Sequence, residues 1–166
     1  MTAIDSSKQL IFRDEESHFQ ANIQAVKVLG GTLISGDTNG LLNVFRVNSD
    51  GVTKIATHEN QKHPINNLDY DGNVILTGSR NTIKLMTVDN NNVNVNKPIR
   101  TGYVSFCCLF YPFAATTGLK YNRGIKIWNL ETGKIFKTLF EDFEFWSMDL
   151  RNGVLAAGMS ASNNIR

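Results

Sequence analysis

The residues able to do chemistry are few, and their spacing argues against most of what they could do. His58 and His63 bracket the polar segment Glu59-Asn60-Gln61-Lys62, with Asp69 and Asp71 downstream. An imidazole beside a carboxylate suits a general base or a metal site. The helical His-x-x-x-His face with its glutamate is absent, and His63-Pro64 fits a turn into an apolar strand beginning at Ile65. His63 is therefore expected on a loop or in a contact between blades, with recognition of a partner protein as the alternative that keeps it a candidate contact residue. Ser35, Ser79, Ser105 and Ser147 would act as nucleophiles only with a base and an orienting acid converging on one of them, and no strand-to-helix elbow surrounds any of them. Gly30-Gly31 followed by Gly36 lacks the lysine and hydroxyl that end a phosphate loop, so a hairpin accounts for it. The carboxylates of Asp14-Glu15-Glu16 and Glu141-Asp142-Phe143-Glu144 crowd onto polar connections, where solvation explains them better than glycoside hydrolysis. No catalytic residue, metal or cofactor is expected.

The side chains left over suit contact rather than catalysis. Lys120, Tyr121 and Arg123 combine cationic and aromatic groups in the longest hairpin insertion, Gly118-Leu119-Lys120-Tyr121-Asn122-Arg123-Gly124, which would present them at a loop tip. Lys126, on the strand that follows, should point out of its sheet. Phe143, Phe145 and Trp146 would anchor an acidic connection onto the next blade, with Trp146 facing a partner as the alternative that makes it a candidate contact residue. Lys plus Arg number 17 against 15 Asp plus Glu, a formal net charge of +2, too balanced to mark a nucleic-acid surface. Cys107 and Cys108 are adjacent, which supplies neither metal-ligand spacing nor a cross-strand disulfide, and both are read as reduced. The opening residues lack the layout of a signal peptide and no apolar run is long enough to span a bilayer. An intracellular setting, cytoplasm or nucleus, is expected, with no membrane insertion.

What must position these groups is a repeat. Short apolar strands ending in small residues recur at Thr32-Leu33-Ile34-Ser35-Gly36, Val74-Ile75-Leu76-Thr77-Gly78, Phe113-Ala114-Ala115-Thr116 and Val154-Leu155-Ala156-Ala157-Gly158. With Gly36, Gly78, Thr116 and Gly158 as equivalent ends, the steps are 42, 38 and 42 residues. An alternating strand follows three of them, Leu42 to Val47, Ile83 to Val88 and Ile125 to Leu130, with Phe45, Met86 and Trp128 as one large side chain per repeat and a structural role in the core. Preceding strands run Ile23 to Leu29, Ile65 to Tyr70, Val104 to Phe110 and Phe145 to Leu150. Outer strands fit Val52 to Thr57, Val93 to Val95 and Lys134 to Leu139. Asp71-Gly72 and Asn152-Gly153 are hairpin signals.

Four antiparallel strands per repeat, without helix periodicity, bury both sheet faces only by stacking sheet against sheet around an axis. The fold class is all-β, a β-propeller of about three complete four-stranded blades plus part of a fourth, forming an open or partial ring. One domain covers 1–166, with repeats at about 20–60, 61–99, 100–140 and 141–166 and an N-terminal arm, 1–19, whose Lys8 to Phe12 could supply a closing strand.

From about Leu10 onward the chain resembles the WD40-repeat family, with degenerate repeats. Ile125-Lys126-Ile127-Trp128-Asn129 looks like the strand that closes that family's motif, with Trp128 at the family tryptophan and Asn129 where aspartate is usual. Ser35-Gly36 and Thr77-Gly78 resemble its preceding strand, and His18 and His63 lie where a Gly-His pair is common, without the glycine. Phe45 and Met86 stand in place of tryptophan, and Asn39 and Asn81 lie near the aspartate of the hairpin between second and third strands. The resemblance implies that no repeat carries the complete His, Ser/Thr, Trp and Asp relay, so packing must hold the blades.

The expected function is a protein–protein interaction scaffold or adaptor subunit of a larger complex, acting without catalysis. A nucleic-acid or phosphate-binding module using Lys120 and Arg123 is the alternative, and a propeller-type hydrolase a distant third. Since Asn164-Ile165-Arg166 follows Gly158 much as Thr82-Ile83-Lys84 follows Gly78, the final strand pair is missing. The chain is expected to be either a fragment or one component of an assembly, in which a homo-oligomer or a complementary propeller chain completes the ring.

Overall fold

The computed structural model describes residues 21–49, 51–59, 62–89, 92–118 and 122–159. These form four antiparallel sheets in chain order. The first contains β1 (Ile23–Leu29), β2 (Thr32–Asp37), β3 (Leu41–Asn48) and β4 (Gly51–Glu59). The second contains β5 (Asn67–Tyr70), β6 (Val74–Gly78), β7 (Thr82–Asp89) and β8 (Asn92–Val95), with the short β9 (Ile99–Arg100) also paired to β7. The third contains β10 (Phe106–Phe110), β11 (Phe113–Thr117), β12 (Ile125–Asn129) and β13 (Lys134–Leu139). The fourth contains β14 (Phe145–Arg151) and β15 (Val154–Met159). Residues 1–20, including Lys8 to Phe12 and His18, and residues 160–166 lie outside the described residues.

Tight turns drive this meander. At Gly30-Gly31 both φ angles are positive, +56° and +75°, and at Asn152-Gly153 they are 51° and 73°. Two successive left-handed residues give a turn whose twist matches that of the strands it joins. At Asp71-Gly72 the Asp71 carboxylate accepts the Asn73 and Val74 N–H groups at 2.9 and 2.8 Å.

The sheets stack like propeller blades, and period-2 alternation sends neighbouring residues into different interfaces. Ile34, Leu42 and Val44 of the first sheet meet Ile65, Leu68, Ile75 and Met86 of the second. Leu76, Ile83 and Leu85 meet Val104, Cys107, Leu109 and Trp128 of the third. Cys108, Ala115 and Ile125 meet Phe145 and Leu150 of the fourth. The pairs Ile75/Leu76, Cys107/Cys108 and Ala114/Ala115 each split between two interfaces, which explains adjacent cysteines that are both buried and both free. Each fully buried Leu or Ile contributes about 1.5–3 kcal/mol of apolar transfer. β1, β5, β10 and β14 are the inner strands, each in contact with the next.

Phe45, Met86 and Trp128 lie opposite Leu33, Ile75 and Ala114, at one register position. Trp128 is 5 % exposed between the second and third sheets, and its indole N–H donates to Thr116 Oγ1 at 2.8 Å. Met86 is buried between the first and second sheets, and Phe45 is buried on the face of the first sheet that looks away from the second. Ser35 occupies the place of Thr116, but phenylalanine offers no donor, and the buried Ser35 hydroxyl has no partner among the described residues.

The same register corrects one equivalence. Gly36, Gly78 and Thr117 oppose Leu42, Ile83 and Ile125, so the third blade's second strand is aligned on Thr117 rather than Thr116. Both threonines are small, so residue type alone does not choose between them, and the position of Trp128 opposite Ala114 does. Two expected strands also begin later than their apolar residues suggest. Ile65 and Val104 precede β5 and β10 and serve as plugs between blades.

Candidate protein interface

The turns β2–β3, β6–β7 and β11–β12 and the connections between blades gather at one end of the stack, because each sheet runs as an antiparallel meander from its inner strand outward. These connections are pinned. The Ile65 N–H donates to Asp37 O at 3.0 Å, the Val104 N–H to Ser79 O at 3.3 Å, and the Gly124 N–H to Phe143 O at 2.9 Å. Ile65 and Val104 then sit directly on Gly36 and Gly78, where a Cβ would come within 2.6 Å of Ile65 Cγ2 and 2.8 Å of Val104 Cγ1. The small residue ending each of these strands is a seat for the next blade's plug. In the first blade the Asp37 carboxylate also accepts the Asn39 and Leu41 N–H groups at 2.9 and 2.8 Å, so the turn carboxylate there is Asp37 itself.

Among the described residues, three exposed aromatic side chains stand on this braced end, Tyr103 at 43 %, Phe140 at 61 % and Trp146 at 56 % exposure. Trp146 is turned outward by a bulge between Phe145 and Ser147. Phe140 has a φ of 52° and its ring lies 6.5 Å from Phe143 and 6.0 Å from Phe145, so the connection presents it from an aromatic base. Lys62, His63 and Arg80 are exposed at the same end. Arg123 Nε lies 3.2 Å from Glu144 Oε1, an exposed pair that holds the β11–β12 turn near the connection to the fourth blade. Such a pair contributes little stability.

Lys120 and Tyr121 lie outside the described residues, and the flanks of their loop are anchored. The Gly118 N–H donates to Asn122 O at 3.1 Å, Asn122 Nδ2 donates to Tyr103 O at 2.7 Å, and Thr117 Oγ1 donates to Gly124 O at 2.9 Å. Lys126 Nζ donates to Asn122 Oδ1, so that ammonium folds back onto the loop base. Tyr103, Arg80 and Phe140 escaped sequence reading because each is a single residue in a connection without periodicity. The aromatic run from Phe140 to Trp146 was the available signal for Phe140.

Near the axis a polar chain joins the inner strands. Lys27 Nζ lies 2.7 Å from Asp69 Oδ1, Asp69 Oδ2 accepts the Leu109 N–H at 2.8 Å, and Asn67 Oδ1 accepts the Cys107 N–H at 3.0 Å. Burial, then the nearby Asp69 and Asp149 carboxylates, push the Cys108 thiol up to about 12, against the opposing pull of Lys27. Burial first, and then Cys108 and Asp69, hold Cys107 well above the ordinary thiol range. Thiolate chemistry is suppressed at both. Burial and the Lys84 ammonium hold His58 below its ordinary value, with Glu59 opposing. Among the described residues no three His, Cys, Asp or Glu side chains gather as a metal site. A groove of about 580 Å³ is lined in part by Lys97, Arg100, Tyr111 and the turn Glu131-Thr132-Gly133.

No family model and no curated protein sequence matches the chain. Solved structures do. The computationally designed Ika4 protein superimposes with a TM-score of 0.68 at 14 % identity, over 85 % of this chain and 87 % of that one. The designed Ika8 protein superimposes with a TM-score of 0.66 at 14 % identity, over 85 % of this chain and 44 % of that one. The β-propeller domain of Cps50 (Swd1) from Myceliophteria thermophila gives 0.68 at 16 % identity, over 83 % of this chain and 48 % of that one. The chain thus spans about half the length of the last two. These likenesses establish the β-propeller fold.

Proposed function

We propose that this chain is a protein-interaction scaffold, an adaptor subunit that binds a partner protein through the end bearing Tyr103, Phe140 and Trp146. The observation that carries this reading is their exposure on connections that are themselves hydrogen-bonded to the preceding blade. Exposed aromatic side chains held rigidly are costly in water and valuable at an interface, since they bury large area with little loss of conformational freedom. Arg80 and Arg123 supply the cationic rim. The work done is binding, with no chemical step assigned to any residue.

Affinity capture from native extract with the full chain, at low and raised salt, tests this reading. Retention of a protein partner in raised salt supports the scaffold. Nucleic acid retained at low salt and released steeply as salt rises would support the phosphate-binding alternative built on Lys120 and Arg123.

A further inference from the structure

The groove between the link into β9 and the β12–β13 turn shares no lining residue with the aromatic end, so it is a separate place on the surface. Two blades build it. Leu85 and Leu130 belong to the core between the second and third sheets and Ile99 packs against that core, which makes the floor aliphatic. One wall is the second blade's link from β8 into β9, carrying Lys97 and Arg100. The other is formed by Tyr111 and the β12–β13 turn of the third blade.

Both walls are held in place by the fold itself. The Asn96 N–H donates to Leu85 O at 2.9 Å, and Ile99 and Arg100 pair with Ile83 and Thr82. On the facing wall the Leu130 N–H donates to Pro112 O at 2.9 Å and the Thr132 N–H to Asn129 Oδ1 at 2.9 Å. At about 580 Å³ the groove falls within the range common to ligand sites, about 300–1,000 Å³. A preformed site loses little to ordering when it binds.

The charges indicate what it takes. Lys97, Arg100 and Glu131 are exposed, and among the described residues no ion pair or side-chain hydrogen bond engages any of them. The second blade's wall thus offers two unpaired cations beside an aliphatic floor, where a bound carboxylate would be paired in a partly dehydrated place. Glu131 on the facing wall narrows the choice. A nucleic-acid backbone, charged at every step, would meet that carboxylate, whereas a peptide can direct acidic side chains to Lys97 and Arg100 and neutral ones toward Glu131. Tyr111, 49 % exposed, adds an aromatic surface for an apolar side chain. We infer that this groove is a second binding site, one that takes an extended acidic segment of a protein, with apolar side chains on the floor of Leu85, Ile99 and Leu130 and carboxylates on Lys97 and Arg100.

Amide chemical shifts of the isotope-labelled full chain, titrated at low salt with a short capped peptide alternating glutamate and leucine, should move at Lys97, Ile99, Arg100, Glu131 and Thr132. Lys97→Ala with Arg100→Ala, both at exposed positions, should raise the Kd about tenfold or more. The triple alanine variant of Tyr103, Phe140 and Trp146 should bind this peptide unchanged, which keeps the test independent of the aromatic end. The matched glutamine–leucine peptide, titrated against the parent chain, reads the charge dependence without any substitution in the protein. Absence of a saturable shift in the groove, equal affinity for the glutamine–leucine peptide, or a single-stranded oligonucleotide bound there more tightly than the acidic peptide would each overturn the proposal.

Discussion

The carboxylate of Asp69 holds three inner strands at once: Oδ2 accepts the Leu109 N–H at 2.8 Å while Oδ1 meets Lys27 Nζ at 2.7 Å. Only 11 % of its side chain is exposed, so both contacts are made in a partly dehydrated place at the axis. This polar joint complements the apolar interfaces farther out.

Asp69→Ala should therefore cost about 1–3 kcal/mol, the usual consequence of leaving a buried N–H unsatisfied. Asp69→Asn should cost less, because its carbonyl oxygen still accepts from Leu109. Denaturant midpoints at constant slope measure both, and equal losses in the two variants would show that the hydrogen bond is not the source.

Gly78→Ala places a methyl 2.8 Å from Val104 Cγ1 and should destabilise by about 1–3 kcal/mol through overpacking. Adding Val104→Ala should recover part of that loss. A double-mutant cycle with no coupling would refute the seat-and-plug relation.

Trp128→Ala should cost about 3–5 kcal/mol as a large core truncation. Trp128→Phe keeps most of the apolar burial and removes the donor to Thr116, so about 1–2 kcal/mol is expected. The phenylalanine variant recreates in the third blade the Phe45–Ser35 arrangement of the first. Equal losses for the two substitutions would contradict this division between packing and hydrogen bonding.

Cys108 gives stability a pH dependence with a defined sign. Its folded thiol is pushed up from 9.0 to about 12, so the unfolded chain ionises first. The contribution is complete below pH 9 and falls as pH rises toward 12, at no more than about 1.4 kcal/mol per pH unit. Cys108→Ser should flatten the alkaline slope of the unfolding free energy, and an unchanged slope would exclude this thiol as its source.

The fold was legible because its signals are local and repeated: small residues at strand ends, one large side chain per third strand, and glycine turns. Register and strand limits were less legible. Ile65 and Val104 read as strand because they are apolar, but their burial comes from plugging onto Gly36 and Gly78, contacts between segments 26 or more residues apart. β9 is two residues long and has no pattern to detect. In the candidate site, Trp146 and Arg123 stood out by type, whereas Tyr103 and Arg80 gain meaning only when turns from different blades share one end. Arg123, expected at a loop tip, is tied to Glu144.

The central claim is that the aromatic end binds the partner, and titration of the captured protein against two forms of the chain tests it most directly. Replacing Tyr103, Phe140 and Trp146 by alanine should raise the Kd by about 30-fold or more, the loss expected when aromatic anchors worth about 2 kcal/mol are removed, with the melting temperature unchanged. An unchanged Kd in a folded triple variant would contradict the account and move the interface elsewhere on the propeller.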